Sequence, residues 1–342
     1  MKRTTFATFA GLAALLTFIV VTFGAYVRLS NAGLGCPDWP GCYGRLVVPA
    51  AQEAVAAANQ SYPQRPLEMT KAWKEMIHRY LASGLGLVIL LLAVAAWRNH
   101  RRSDLPVGLP TVLVALVIFQ GLLGMWTVTW LVKPVIVTAH LAGGMATLAL
   151  LGWLALRSSG CFIAPVHTLL AGLKPWVVIG LLLLSLQILL GGWTSSNYAA
   201  MGCSEFPTCY WNQWWPPTDF SEAFTLWRGL GVNYEGGVLD SAARTAIHLV
   251  HRLGALILFV YLGILAVLVW RRANYPTHGR LGLALGAVLL VQLGLGIGSV
   301  LGHLPIEVAV AHNGGAALLL LTLVALLHAL TASDSLSHEK FA

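Results

Sequence analysis

Glu75-Met-Ile-His-Arg-Tyr-Leu-Ala-Ser-Gly-Leu-Gly-Leu-Val-Ile-Leu-Leu-Leu-Ala-Val-Ala-Ala96 sets three ionisable residues, Glu75, His78 and Arg79, at the head of an otherwise apolar run. Residues three apart on a helix share a face, so Glu75 and His78 are expected to point into one site. A run of about 20 apolar residues crosses a bilayer. A centrally placed acid there costs roughly 2.5–3.5 kcal/mol on insertion scales and marks function. The chain repeats the device as His248-Leu-Val-His251-Arg252, at the head of a second apolar run. Two copies of one device call for one explanation.

Around these two runs the chain is apolar throughout. It has 57% hydrophobic and 10% charged residues over 342 positions, with a mean hydropathy of +0.74. A soluble core cannot use that many apolar residues, whereas a bundle of lipid-facing helices can. Runs of spanning length fall near 9–28, 76–96, 109–130, 135–156, 175–196, 243–269, 281–301 and 306–330, making eight. The fold class expected is all-α integral membrane. Lys2, Arg3, Arg98, Arg101, Arg102, Arg157, Lys174, Arg271, Arg272, Arg280 and Lys340 fall on one face of an eight-span chain, which the positive-inside rule makes cytoplasmic, with both termini. The long first outer loop also carries Arg45, Arg65, Lys71 and Lys74, but long translocated loops obey the rule poorly. The net charge of +8 is thus mostly a topology signal. No basic-aromatic stripe suggests nucleic acid. Met1 to Ala25 resembles a signal peptide. We read it as uncleaved, because its loss would leave seven spans and halve a repeat.

That repeat runs through the whole chain. Gly35-Cys36-x3-Pro40-x-Cys42-Tyr43 matches Gly202-Cys203-x3-Pro207-x-Cys209-Tyr210 at an offset of 203 − 36 = 167. His78-Arg79 matches His251-Arg252 at 251 − 78 = 173, and His140 matches His312 at 312 − 140 = 172. Gln120-x3-Gly124 matches Gln292-x3-Gly296 at 292 − 120 = 172. Each unit has an even number of spans, so both enter from one side, as parallel repeats about an axis along the membrane normal. The expected architecture is two four-helix bundles: residues 1–156, a cytoplasmic link at 157–174, and residues 175–342. Outer loop one contains Ala50 to Ala58, read as a short amphipathic helix. Outer loop three is rich in Trp (Trp211, Trp214, Trp215, Trp227) and reads as a cap at the headgroup level or as cover for a cofactor.

Of eleven His, His100, His278 and His338 fall in polar inner segments and His167 in the inner link, where solvation is expected; His303 and His328 read as incidental. His78, His140, His251 and His312 differ: each lies on an even-numbered span, a turn or two inside its outer end. Each repeat then supplies one facing pair, His78 with His140 and His251 with His312. One intramembrane His is ordinarily a group hydrogen-bonded to a neighbouring helix; four in two related pairs ask for more. Zinc takes four ligands, or three plus water. One pair with Glu75 supplies three, but the second bundle has no equivalent acid. Haem suits better, since two facing imidazoles in a helical bundle hold iron axially and the apolar interior accepts the macrocycle. Arg79 and Arg252 either pair with haem propionates or snorkel to headgroups. Gly143-Gly144 and Gly314-Gly315 follow the second His of each pair, where small residues let a ring or a backbone approach.

The pairs Cys36/Cys42 and Cys203/Cys209 are expected to face outward, where disulfides persist. A bridge over so short a loop contributes about 2 kcal/mol on the chain-entropy estimate. Both a structural bridge and a redox-active or haem-handling dithiol remain open. No C-x-x-C-H occurs, which disfavours covalent haem attachment. Cys161, in the inner link, is expected to be a free thiol.

Together, Glu75-x-x-His78-Arg79, His140-Leu, His251-Arg252, His312 and the two cysteine pairs resemble the haem A synthase family of cytochrome oxidase assembly. The resemblance runs from Gly24-Ala-Tyr-Val-Arg-Leu-Ser30 to His312-Asn-Gly-Gly315. It implies a membrane oxidoreductase that converts a methyl group of haem O to a formyl group, giving haem A through a hydroxymethyl intermediate. It further implies that His251 and His312 ligate a resident haem b, that His78 and His140 hold the substrate haem O, and that Glu75 is catalytically important. Cys36 and Cys42 match the pair tied to function in bacterial members. Implied partners are haem O, the enzyme that makes it, oxidase assembly factors and membrane lipid; the implied location is the bacterial inner membrane. Oligomeric state is not readable.

The residues supply their own reason for dividing the bundles: Glu75 in the first becomes His248 in the second. A carboxylate in an apolar site can move protons, which makes the first bundle the candidate active site and the second the candidate electron relay. One difficulty follows. Two His on the substrate iron leave no axial position open, so either one dissociates or oxidation proceeds by electron removal and water attack. Competing readings are a di-haem electron-transfer cytochrome, a haem carrier, or an assembly factor holding no cofactor. Loss of product on Glu75→Gln separates the enzyme from the cytochrome.

Overall fold

The computed structural model describes residues 2–103, 105–161 and 168–338. It is all-helical, with no strand longer than an isolated bridge among the described residues. Eight helices are long and apolar enough to cross a membrane. In chain order the helices are α1 (Arg3–Leu29), α2 (Gln52–Ser61), α3 (Met69–Ser103), α4 (Gly108–Thr129), α5 (Pro134–Ser159), α6 (Thr168–Ala171), α7 (Lys174–Ser196), α8 (Phe220–Ala223), α9 (Ser241–Arg272), α10 (Pro276–Leu301) and α11 (Ile306–His338). The short surface helix expected at Ala50–Ala58 is α2, which starts two residues later. Residues 162–167 of the inner link, His167 among them, and Lys340 lie outside the described residues.

The helix boundaries follow local chemistry. Pro134, Pro175 and Pro276 open α5, α7 and α10 at the first turn, where the missing N–H is no loss. Asp240 caps α9 by accepting the Ala243 N–H at 2.8 Å. Gly160 closes α5 in the left-handed conformation, φ 70°. Arg3 of α1 donates to Ser158 O at 3.1 Å and to Arg157 O, capping the carbonyl end of α5.

Helices α1, α3, α4 and α5 pack in a ring, with close contacts α1–α3, α3–α4, α4–α5 and α5–α1. Helices α7, α9, α10 and α11 do the same in the order α7–α9, α9–α10, α10–α11 and α11–α7. The rings meet through α1, α5, α7 and α11. The outer part of each ring therefore leaves α3 across from α5, and α9 across from α11. Small residues Ala10, Ala13 and Ala14 let α1 approach Leu85 and Ile89 of α3 and Leu151 and Leu154 of α5. Helix α11 has 61% of its apolar window buried and α4 only 17%, so α11 is central and α4 peripheral.

Candidate functional site

The four His singled out by sequence all fall on the diagonal helices. His78 is on α3 and His140 on α5; His251 is on α9 and His312 on α11. Counting from the helix starts, His78 and His251 lie about 14 Å along their helices and His140 and His312 about 9 Å along theirs. Helices across a four-membered ring face one another through its middle, so side chains on them could hold one group between them.

Each imidazole is half-buried and rests on a glycine of the neighbouring helix. A Cβ added at Gly24 of α1 would lie 2.8 Å from His78 Cε1; at Gly124 of α4 it would lie 3.6 Å from His140 Cε1. The corresponding distances are 3.3 Å from Gly191 of α7 to His251 and 3.0 Å from Gly296 of α10 to His312. Bare helix surface is thus kept beside every ring. The Nδ1 atoms of His78, His140 and His312 are buried without a hydrogen-bond partner. Two imidazoles on opposed apolar helices are a donor set that fits haem iron. Among the described residues, no group of three or more His, Cys, Asp or Glu converges in the manner of a metal-ion cage.

A disulfide loop closes one end of each ring, the end that carries the histidines. Cys36–Cys42 and Cys203–Cys209 are both bridged, and their four residues are buried. Asp38 accepts the N–H groups of Tyr43 and Gly44, both at 2.7 Å. Glu205, at the matching place (205 − 38 = 167), accepts those of Trp211 and Asn212 at 3.0 and 3.2 Å. These bonds, the Asn212 N–H first, hold the Glu205 carboxyl below its ordinary pKa.

Glu75 lies where loop and helix meet, and it is buried. Its Oε2 accepts the Cys36 N–H at 2.9 Å and its Oε1 pairs with Arg79 at 2.5 Å. In the other half the Cys203 N–H donates to His248 Nδ1 at 3.2 Å. The same loop nitrogen thus meets a carboxylate in one half and an imidazole in the other. Glu75 and His248 are structural counterparts.

The structure adds contacts that the sequence did not suggest. Arg79 donates to Asp38 O at 3.0 Å, to Pro40 O at 3.2 Å and to Gly41 O. Arg252 donates to Thr208 O at 2.9 Å, Cys203 O at 3.2 Å and Glu205 O at 2.6 Å. Both guanidinium groups therefore fasten the disulfide loops, beyond either role considered from sequence. The space beside Gly143 and Gly315 is filled by the side-chain amides of Gln120 and Gln292, and that beside Gly254 by Gln187. These glycines make room for glutamine rather than for a flat ligand. His278, expected to be solvated, is fully buried against Tyr275, with ring centroids 6.2 Å apart. Cys161 is free and exposed. Trp211, Trp214, Trp215 and Trp227 are all exposed, and the Trp227 ring also lies over the Lys133 ammonium, 3.1 Å from ring centroid to Nζ.

Paired histidines beneath cystine loops on eight apolar helices define a polytopic membrane protein. The chain belongs to the cytochrome oxidase assembly protein family, whose family model matches residues 7–324. It is 45% identical to a heme A synthase of Shewanella oneidensis over 91% of this chain and 92% of that protein. It is 28% identical to a heme A synthase of Allorhizobium ampelinum over 91% and 86%, and 26% identical to one of Shouchella clausii over 82% and 81%.

Proposed function

We propose that this protein is a haem A synthase, a membrane oxidoreductase that oxidises a methyl group of haem O to a formyl group, through a hydroxymethyl intermediate, for cytochrome oxidase assembly. The observation that carries this reading is a difference between the two halves at the loop–helix junction. Glu75 accepts the Cys36 N–H where His248 accepts that of Cys203. The near full-length identity with the Shewanella oneidensis heme A synthase supports it.

In this reading residues 1–156 form the catalytic four-helix bundle, 157–174 the link and 175–342 the second bundle, and the two packing rings support that division. His78 and His140 hold the substrate haem O, while His251 and His312 hold haem b, which supplies electron transfer when bound. Arg79 and Arg252 keep each cystine loop seated over its site. With water supplying the oxygen and an external electron acceptor taking the electrons, conversion of the methyl to a formyl group releases protons, and in this reading the Glu75 carboxylate accepts and passes them. Cys36 N–H and Arg79 orient it, so its acceptor oxygens are fixed before substrate arrives. The protein is placed in the bacterial inner membrane with both termini cytoplasmic, and receives its farnesylated substrate within the bilayer, from the enzyme that makes it.

Co-expression with a haem O synthase, followed by mass identification of extracted haems, tests the reading. Hydroxymethyl haem and haem A are expected with the native chain, and neither with Glu75→Gln, which should retain its resident haem. Extracts containing only haem O and haem b would overturn it.

A further inference from the structure

Three of the four His-bearing helix pairs share one construction, and the fourth departs from it. In α4/α5, Gln120 donates to His140 O at 2.9 Å, and its amide fills the space over Gly143. In α7/α9, Gln187 donates to His251 O at 2.9 Å, lies 3.1 Å from its Nδ1, and fills the space over Gly254. In α10/α11, Gln292 lies 3.5 Å from His312 Nε2 and fills the space over Gly315. The pattern is Gln-x3-Gly on one helix against His-x2-Gly on the next. A Cβ on the second glycine would collide with the amide, so glutamine and glycine work as a unit.

The α1/α3 pair keeps the ring-facing Gly24 but has Val20 in the glutamine place (187 − 20 = 167) and Leu81 in the glycine place (254 − 81 = 173). No side-chain amide meets His78 among the described residues. The nearest aromatic neighbour of its imidazole is Phe23, at 6.4 Å between centroids. Gln187 and Gln292 thus reach the rings of His251 and His312, Gln120 reaches the backbone carbonyl of His140, and no amide stands against His78 among the described residues. The loss of both halves of the unit together, in the ring that also holds Glu75, is what a site built to release one ligand requires.

We propose that His78 is the exchangeable ligand of the amino-terminal site, leaving the substrate iron while His140 stays and so admitting haem O and releasing product; this rests on the haem A synthase reading. The second site keeps both braces because its haem is resident.

Carbon monoxide binding to the reduced, haem-loaded full-length protein in nanodiscs tests this, because CO binds a doubly ligated haem only as fast as a His lets go. Two phases are expected. Val20→Gln with Leu81→Gly, which installs the brace, should slow the faster phase by about two- to tenfold, the span of one net hydrogen bond. Gln187→Val with Gly254→Leu should quicken the slower phase by a similar factor. His78→Ala should keep amino-terminal haem and bind CO without the His-limited lag, whereas His140→Ala should lose that haem. The reverse pattern, haem kept by His140→Ala and lost by His78→Ala, would overturn the assignment, as would a faster phase indifferent to the brace. If the brace variant does not fold, the two alanine variants decide alone. A wild-type protein that takes up no haem at His78 and His140 would instead defeat the underlying functional reading.

Discussion

Removing the Glu75 carboxylate separates its structural and chemical roles, because the two predict different rankings of variants. Its side chain is 5% exposed and that of Arg79 is 12% exposed, so the 2.5 Å pair is largely withdrawn from solvent. Glu75→Ala leaves the guanidinium fastened to the carbonyls of Asp38, Pro40 and Gly41 with no counter-charge, and leaves the Cys36 N–H unpartnered. Breaking one side of a buried pair costs about 3–5 kcal/mol. Glu75→Gln keeps an acceptor for the N–H and gives up only the charge, at about 1.5–3 kcal/mol. Glu75→Ala with Arg79→Met removes both charges and should recover part of the loss.

Unfolding of the nanodisc-embedded protein in denaturant reads the stability ranking, and extracted haem reads the chemistry. Stability should fall in the order wild type, Gln, Ala, while product is absent from both variants alike. An Ala variant within about 0.5 kcal/mol of wild type, the ordinary scatter of surface changes, would show the pair to be idle. A Gln variant whose product falls only in proportion to its stability would show that Glu75 holds the loop without carrying protons.

Three further outcomes follow from the same geometry. Gly296→Leu puts a side chain where a Cβ already lies 3.0 Å from His312 Cε1; haem absorbance from the carboxyl-terminal site should be lost with helical circular dichroism unchanged, and Gly121→Leu, with open space around it, should be silent. Cys203→Ser with Cys209→Ser opens a bridge of sequence separation 6 and should cost about 2 kcal/mol in denaturant unfolding. Because the Glu205 carboxyl is held below its ordinary value of 4.5, its hold on the Trp211 and Asn212 amides is full above that value and fades as pH falls through the folded pKa; the protection of those two amides against hydrogen exchange should be lost in acid in wild type, whereas Glu205→Gln, which cannot titrate, should show weaker protection already at pH 7 and no further loss in acid.

The spans and the four histidines could be read from the chain because each obeys a constraint written in residue identity. A bilayer demands apolar length, and the four histidines recur at a nearly constant offset that places them on facing helices. Glu75 stood out for the same reason, as the acid that one copy lacks. Contacts made to backbone were invisible. Arg79 and Arg252 spend their donors on loop carbonyls, and a carbonyl carries no residue signature. His278 looked polar and solvated from its neighbours, but the turn into α10 folds it inward. Gln187-x3-Gly191 went unread since its counterpart in the first half is Val20-x3-Gly24. Comparing halves hides a motif that one half has lost, and only the pairing of adjacent helices brings it back.

Those lost features collect in one place. The two rings have the same helix-packing task, the same cystine loops and the same glycine rests for imidazole, so scaffold requirements alone predict the same residues in both. The carboxylate, the missing glutamine and the leucine in place of glycine all fall on α1 and α3, under the Cys36–Cys42 loop. A buried acid asks for a paired arginine, and an unbraced histidine surrenders an amide contact, so neither change improves the bundle as a structure. That concentration of departures in one ring is what the proposed division of labour asks for, a site that moves protons and exchanges a ligand beside one that keeps its cofactor.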